Sequence, residues 1–438
     1  MSAKVETSQP TKSSKSKSKS KSKSKKQSPQ AAAKALLEAL PALKPTLSTR
    51  DLPMFFDDFH DQISERLLSF AEAWQPADYQ DDWLATSHAV SQMSELGLSK
   101  LCVPELFGGE AVDQHDELDV RSITLARECL GYIDGLLDCA FAMQGLGSYP
   151  IALAGNEDQK QRYLSGFITG ERIGAFALTE PEAGSDVASM KMKAKRLDNG
   201  DYQLNGVKTF ISNAGVATQY IVFASTNPRA GSRGITAFIV EPGDIGVKIE
   251  PFEVMAPHPI GSLKLSRCVV PAARRLGEEG EGFKIAMKTL NTFRISVAGA
   301  ALGMARRALD EALRHTSTRV QFDQPLIEQQ QVSAALANAA TELDAARLLV
   351  YRAGYMRDVL ESRSGKEVAM AKLFATESAQ RIIDACLQLH GGLGVKRGEV
   401  LERLYREVRA LRIYEGASEV QRLIITKSLR DELSEGLA

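Results

Sequence analysis

The chain has 438 residues, 44% hydrophobic and 25% charged, with 54 Lys+Arg against 55 Asp+Glu, enough to bury a full core in two or three subdomains. It has no run of 18 apolar residues and no apolar stretch near its start, which argues against a membrane span and a secretory signal. Five cysteines (Cys102, Cys129, Cys139, Cys268, Cys386), an odd number without CxxC spacing, argue against a disulfide framework or a zinc site and for reduced thiols in a cytoplasmic protein.

The charge is unevenly placed. Residues 1–30 hold nine lysines and one acid, so the rest of the chain carries about −9 against an overall −1. The Lys-Ser alternation from Lys15 to Lys26 is low in complexity and cannot bury enough surface to fold. It lacks the Arg-rich amphipathic pattern of a transit peptide and the aromatic residues that base stacking needs. A solvated tail is the simplest reading, and attachment to an anionic surface is the alternative.

Residues 31–43, 63–74, 88–96 and 120–131 carry apolar positions at helical spacing and predict an all-helical first part, broken by a loop at Leu101-Cys102-Val103-Pro104-Glu105 and Gly108-Gly109. Around Phe176 the period changes. Short β-branched or aromatic runs at 189–195, 202–204, 208–211, 220–224, 235–240 and 247–252 alternate with Asp-Asn-Gly, Asn-Gly and Pro-Gly turn signals. They predict a compact antiparallel β-domain of about 100 residues, closing near Val269-Val270-Pro271. The helical period returns over 283–317, 327–362, 366–389 and 399–413, and predicts a four-helix bundle in which Gly299 and Gly303 make a small-residue contact face. The fold class is therefore α+β, divided into a disordered tail and linker (1–50), a helical domain (51–174), a β-domain (175–275) and a C-terminal four-helix bundle (276–438).

Phe176-Ala177-Leu178-Thr179-Glu180-Pro181-Glu182-Ala183-Gly184-Ser185-Asp186 ends a strand and opens a loop bearing backbone N–H groups and the hydroxyls of Thr179 and Ser185. Such donors suit the negative charge of a reduced flavin ring, although a hairpin-like turn closing the β-domain is the simpler reading of the segment alone. This segment, together with the order helical part, β-domain, helical bundle, resembles the acyl-CoA dehydrogenase family over residues 60–430. The resemblance implies FAD as cofactor, an acyl-CoA substrate, an electron-transfer flavoprotein as partner, and a homo-oligomer, tetramer or dimer, that shares FAD sites between subunits. Phe176, Leu178, Thr179, Gly184 and Ser185 match the family's flavin-contacting positions, and Ser185 also matches a contact to the pantetheine arm.

Four further segments match the family. Phe210, Ile211 and Ser212 stand where the family flanks the flavin with an aromatic residue, usually Trp, and a small hydroxyl residue. Arg319, Gln321 and Phe322, with Gln330 beyond them, match the segment that holds the pyrophosphate and adenine end of FAD, but Asp323 replaces the usual Gly. Gln388, Gly391 and Gly392, in the run Gln388-Leu389-His390-Gly391-Gly392-Leu393-Gly394, match a phosphate contact made across a subunit boundary. The run follows a helical stretch, not a strand, so it is no dinucleotide fingerprint, and His390 reads as a structural neighbour.

The last segment is Arg412-Ile413-Tyr414-Glu415-Gly416-Ala417-Ser418-Glu419-Val420-Gln421-Arg422. Glu415 and Gly416 fall at a break between two helical patterns, where Ser418 and Gln421 read as a capping box. A free backbone N–H there can bind a thioester oxygen, and Gly416 lets substrate approach without a Cβ in the way. The resemblance makes Glu415 the catalytic base for the α-proton. Some relatives carry the base immediately before the arginine matched by Arg294, and Phe293 occupies that place here. Asn291, Arg294 and Gly416 match substrate-facing positions, while Ala417 and Glu419 replace a Thr and a Gln that touch FAD in many relatives. No residue is assigned to a metal. Phe293, with residues near Ala142, Met143 and Gln144, lines the expected acyl pocket and narrows it toward a short, branched or cyclic acyl group. His258 reads as an exposed loop residue. An oxidase of the same fold and a non-catalytic assembly protein are the competing readings.

Overall fold

The computed structural model describes residues 28–436 apart from 48, 50, 76–80, 112–116 and 361–364, so the Lys-Ser tail lies outside the described residues. The helical spacing expected over 31–43 forms a helix, α1 (Pro29–Ala39), inside the span assigned to the tail and linker. Ser28 accepts a hydrogen bond from Ala31 N–H to start it, and Arg314 Nη2 donates to the carbonyls of Leu40 (3.1 Å) and Pro41 (2.7 Å) to hold its far end.

Five more helices follow: α2 (Asp58–Ala73), α3 (Asp82–Glu95), α4 (Val120–Ile133), α5 (Gly135–Ala154) and α6 (Glu157–Thr169). α4 is buried on nearly every face, from Val120 to Tyr132, and packs against the longest helix, α7 (Gly282–Thr318). The small-residue face predicted at Gly299 and Gly303 is what permits that approach. A Cβ at Gly299 would lie 2.5 Å from the Thr124 carbonyl oxygen, and one at Gly131 2.7 Å from that of Ala300.

Between α6 and α7 lies one sheet: β1 (Gly174–Ala177), β2 (Lys193–Arg196), β3 (Tyr202–Ser212), β4 (Gln219–Ser225), β5 (Ile235–Val240), β6 (Val247–Pro251), β7 (Ile260–Val270) and β8 (Arg275–Leu276). The strands run in the order β6-β7-β3-β2-β4-β5-β8, with β1 attached to β4. Most pairs are antiparallel, as expected, but β1 runs parallel to β4, and β2 meets β4 in parallel at Lys193 and Ser225, so the sheet is mixed. β4 and β5 are buried on both faces. Ile221, Phe223, Ile235, Ala237 and Ile239 join the helical core, whereas Tyr220, Val222, Ala224, Phe238 and Val240 enter a separate core inside the sheet.

Two local expectations change. Asn205-Gly206 reads as a turn, but β3 continues through it, because Asn205 Oδ1 accepts the Arg267 N–H (2.7 Å) at a bulge in β7 where Arg267 has φ 51°. β7 itself escapes the sequence pattern, since its Gly-Ser start and Ser-Arg bulge interrupt the alternation. The chain ends with β9 (Val320–Gln321), β10 (Gln324–Pro325), α8 (Gln330–Asp358), α9 (Gly365–Leu389), α10 (Val400–Leu411) and α11 (Ser418–Glu435). α7, α8, α9 and α10 match the four predicted bundle segments, and α11 packs against α9.

Candidate active site

Glu415 sits at the junction of α10 and α11 with φ 52°, followed by Gly416 with φ 95°. Two consecutive left-handed residues turn the chain sharply, and a Cβ at Gly416 would lie 2.5 Å from Gln421 Nε2 and 3.3 Å from Arg294 Nη2. The capping box is not formed. Ala417 is the N-cap, Ser418 Oγ donates to Glu377 Oε1 (2.6 Å), and Gln421 Nε2 reaches back to the Gly416 carbonyl (2.9 Å). The junction is held instead by tertiary contacts. Lys372 Nζ donates to the Gly416 carbonyl (2.9 Å), and Arg294 Nε donates to the Glu415 carbonyl (2.9 Å) while its Nη1 is held by Asn291 Oδ1 (2.6 Å). The backbone N–H groups of Glu415, Gly416 and Ala417 meet no acceptor among the described residues.

The Glu415 side chain is 7% exposed, with Oε1 3.7 Å from Arg127 Nη1 and a buried Oε2 that has no hydrogen-bond partner. Burial raises its pKa from 4.5 to about 7, against the opposing pull of Arg127, Lys372 and Arg294 and with the help of Asp138. A shift of that size disfavours the anion by about 3 kcal/mol. Burial also lowers Lys372 to about 8. Phe293 is fully buried, with its ring edge-on to Tyr149 at 6.4 Å and pressed against the site where Gly145 lacks a Cβ. Gln144, expected beside the acyl pocket, is used to hold β1: its Nε2 donates to the Arg172 carbonyl (2.8 Å) and its Oε1 accepts from Gly174 N–H (3.1 Å).

Two of the other segments converge on this corner. Glu180 and Ala183 exchange backbone hydrogen bonds of 3.1 Å, so a tight turn does close the segment, and it leaves Gly184 and Ser185 exposed beyond it. Phe176 tilts against Phe223 at 4.9 Å, and Leu178 is buried. The two segments are bonded to each other. Thr209 N–H donates to the Thr179 carbonyl (2.9 Å), and Lys208 Nζ donates to the Leu178 carbonyl (2.9 Å) and to Glu180 Oε1 (2.8 Å). One extra residue on β3 between Lys208 and Ile211 gives Phe210 a φ of 54° and leaves its ring 62% exposed, while Ile211 turns inward. Phe210 meets Phe252 edge-on at 5.2 Å, and Arg406 of α10 donates to the Met255 carbonyl (2.7 Å) in the same loop. Cys139 is close to both Ser212 and Glu415. His258 is half-buried and not exposed as expected, and burial takes its pKa down to about 4.

The remaining two segments meet elsewhere. Arg319, Gln388, Gly391 and Gly392 line one cavity of about 530 Å³ with His315, Leu326 and His390. His390 is a structural neighbour there, with Nδ1 2.9 Å from the Cys386 carbonyl and its ring stacked on His315 at 4.2 Å. Phe322 and Asp323 occupy the two-residue turn between β9 and β10 with φ 52° and 59°, a geometry that favours Gly and tolerates Asp. The turn leaves Phe322 89% exposed, with Gln321 and Gln330 exposed beside it. Arg319 follows Arg294 by 25 residues along and just past α7, roughly 37 Å along the axis. The five segments therefore form two groups, not one site.

Models of the acyl-CoA dehydrogenase N-terminal, middle and C-terminal domains match residues 49–171, 175–268 and 280–430. The chain belongs to the acyl-CoA dehydrogenase family. It is 39% identical over 384 residues to a 3-(aryl)acrylate reductase of Clostridium sporogenes, covering 86% of this chain and 100% of that one. Butyryl-CoA dehydrogenase of Megasphaera elsdenii superposes with a TM-score of 0.79 at 35% identity, covering 85% and 98% of the two chains. An acyl-CoA dehydrogenase of Bacillus anthracis complexed with FAD does so at 0.78 and 31%, covering 88% and 69%. Members of this acyl-CoA dehydrogenase family are FAD-dependent oxidoreductases.

The residues present fit that cofactor. A Cβ built at Gly184, Gly391 or Gly392 would meet nothing within 4 Å, so the backbone is open to a ligand at both groups. The Arg319 guanidinium meets no carboxylate among the described residues, and two aromatic rings lie uncovered at Phe210 and Phe322. Sequence reasoning missed the charges packed behind the base, Arg127, Asp138 and Lys372, and the buried Lys208–Glu180 pair that joins the two flavin-matched segments. The available signal was a charged residue adjoining a short apolar run, as with Arg127 after Leu125-Ala126 in α4 and Lys372 after Val368-Ala369-Met370-Ala371 in α9. No helix among the described residues is long and apolar enough to cross a membrane.

Proposed function

We propose that the protein catalyses α,β-dehydrogenation of an acyl-CoA thioester with Glu415 as the base. The observation that carries this reading is a buried carboxylate at a left-handed junction, with its pKa raised to about 7 and one oxygen unpartnered, beside the two segments matched to the flavin ring. FAD bound there supplies the acceptor for the hydride that leaves the β-carbon. Glu415 Oε2 takes the α-proton. The unpaired N–H groups at the junction donate to the thioester oxygen and make that proton more acidic, and Arg294 and Lys372 hold the carbonyls of Glu415 and Gly416 so that those N–H groups keep their direction. Phe293 against Gly145 limits the depth available to the acyl group and favours a short, branched or cyclic one.

Residues for the two ends of the cofactor come from two copies of the chain. Phe176, Leu178, Thr179, Gly184, Ser185, Phe210, Ile211, Ser212, Ala417 and Glu419 of one copy hold the flavin end. Arg319, Gln321, Phe322, Gln330, Gln388, Gly391 and Gly392 of another hold the phosphate and adenine end, a reading supported by their separation along α7. The protein is thus a homodimer or homotetramer with shared sites. Ser185, Asn291, Arg294 and Gly416 face the CoA thioester. An electron-transfer flavoprotein accepts the electrons, and the cytoplasm is the compartment.

The reductase relative favours a second reading in which the same carboxyl works in reverse. Near its raised pKa, Glu415 is substantially protonated at neutral pH and can return a proton to the α-carbon of an enoyl thioester. Anaerobic mixing with a panel of acyl-CoA thioesters tests the reading. The flavin bleaches with the right thioester, and Glu415→Gln keeps its FAD but loses about a thousandfold in reduction rate. Near-normal bleaching by the variant removes Glu415 as base. Peroxide formed in air identifies an oxidase instead, and no bleaching with any thioester points to an assembly protein.

A further inference from the structure

Behind Glu415 lies a second charged layer with no assigned role. Arg127 is buried in α4 and Asp138 in α5, and they form a two-point pair: Arg127 Nε to Asp138 Oδ1 at 2.8 Å and Nη2 to Oδ2 at 2.8 Å. Ser296 Oγ on α7 accepts from Arg127 Nη1 at 3.2 Å, and the Ser296 hydroxyl is itself turned toward the Phe293 carbonyl (3.0 Å). The fork is therefore fixed in its plane by two elements, and the one nitrogen left facing the site, Nη1, lies 3.7 Å from Glu415 Oε1. Burial opposes the charge on Arg127, but Asp138 and Glu415 outweigh it and hold its pKa above the usual range.

A buried ion pair of this kind is seldom retained for stability, because its desolvation cost offsets most of the attraction. A guanidinium held at three points does have a use as a fixed, directional donor. We propose that Arg127, oriented by Asp138 and Ser296, is the positioning residue of the base: it holds Oε1 of Glu415 and thereby presents Oε2 to the α-carbon of the substrate. This rests on Glu415 being the base. Arg294 and Lys372 act on the backbone of the junction, whereas Arg127 is the cation that meets the carboxylate itself.

The charged and titratable groups facing Glu415 are Arg127 from α4, Asp138 and Cys139 from α5, Arg294 from α7, Lys372 from α9 and Tyr414 from its own turn. Arg127 lowers the pKa of Glu415 and Asp138 raises it. The two partners are thus distinguishable in a way that a merely structural pair is not.

The test compares Asp138→Asn with the double variant Arg127→Met/Asp138→Leu, which removes Arg127 and Asp138 together so that neither is left buried without the other. Each is purified with FAD, and flavin reduction by the preferred acyl-CoA is followed against pH. Protonation of Glu415 is followed separately by its infrared carboxyl band in protein without substrate, with Glu415→Gln as the blank. The acid limb of the rate and the infrared titration should move together, to lower pH in Asp138→Asn and to higher pH in the double variant. The double variant should also lose about tenfold or more in the pH-independent rate, with little change in substrate Kd. An unmoved titration and rate in a folded double variant overturns the proposal, and that variant decides alone if Asp138→Asn does not fold. Full activity of Glu415→Gln sinks the base assignment as well, whereas an inactive Glu415→Gln with an unmoved double variant sinks only the role of Arg127.

Discussion

The two ends of α7 are built in opposite ways. At the Glu415 end, cations from three helices and Asp138 surround the Glu415 carboxylate, the turn is locked by hydrogen bonds to its carbonyls, and the side chains are buried. At the Arg319 end, open glycines and an arginine that finds no carboxylate among the described residues line a cavity, and a two-residue hairpin turn with exposed side chains follows the arginine in the chain. The first end is preorganised by its own chain, as a proton transfer needs. The second is a surface left open, as the proposed site shared between two copies requires. A chain can complete the chemistry of one site while leaving part of the binding of another unfinished.

This contrast predicts different losses at the two ends. Glu415→Gln should cost about a thousandfold in flavin reduction and leave FAD content unchanged, while Arg319→Ala should weaken FAD binding by about 1.5–3 kcal/mol and leave the pH profile of reduction where it was. FAD titration of the apoprotein and stopped-flow reduction read the two quantities. A slowed chemical step in FAD-saturated Arg319→Ala would join the two ends that the geometry separates.

Lys208→Met should be the most destabilising change of this set, by about 3–5 kcal/mol in urea unfolding, because it leaves Glu180 buried without its cation. A small effect would mean that the Lys191 and Met192 N–H groups, which also donate to Glu180, suffice to hold it. The pH dependence follows from the raised pKa of Glu415. The base must be ionised, so the rate constant for reduction should rise with pH through about 7 and level off above it. For stability the sign is opposite: the folded state holds the proton more tightly than the unfolded chain, so this group lowers stability as pH rises from 4.5 through about 7, by about 3 kcal/mol in full. Glu415→Gln should lose that slope. The smallest expected effect is at the distal turn, where Asp323→Gly relieves a left-handed residue and should stabilise by up to about 1 kcal/mol without altering reduction. A drop in Tm would mean that the Asp323 side chain makes a contact worth more than the strain.

The sequence carried the layout of the molecule well. The switch from helical to alternating period near Phe176 and back near Gly282 is a local signal, and so is the break in pattern around Glu415-Gly416. Local signals also misled. Ser418 and Gln421 have the spacing of a capping box, yet both side chains turn to other partners, because α9 and its Glu377 and Lys372 are packed against that turn. Asn205-Gly206 has the composition of a turn, yet the strand continues because the irregularity sits on β7.

Hydrophobic period, turn chemistry and short motifs are properties of neighbours in sequence, so the sequence alone determined the α+β class and the family, and it singled out the residue proposed as the base. The environment of that residue was decided by tertiary structure. Arg127, Asp138, Arg294 and Lys372 come from α4, α5, α7 and α9, separated from Glu415 by 43 to 288 residues. A pKa is set by burial and by charges a few ångströms away in space, and nothing in a linear pattern states which distant helix will supply them.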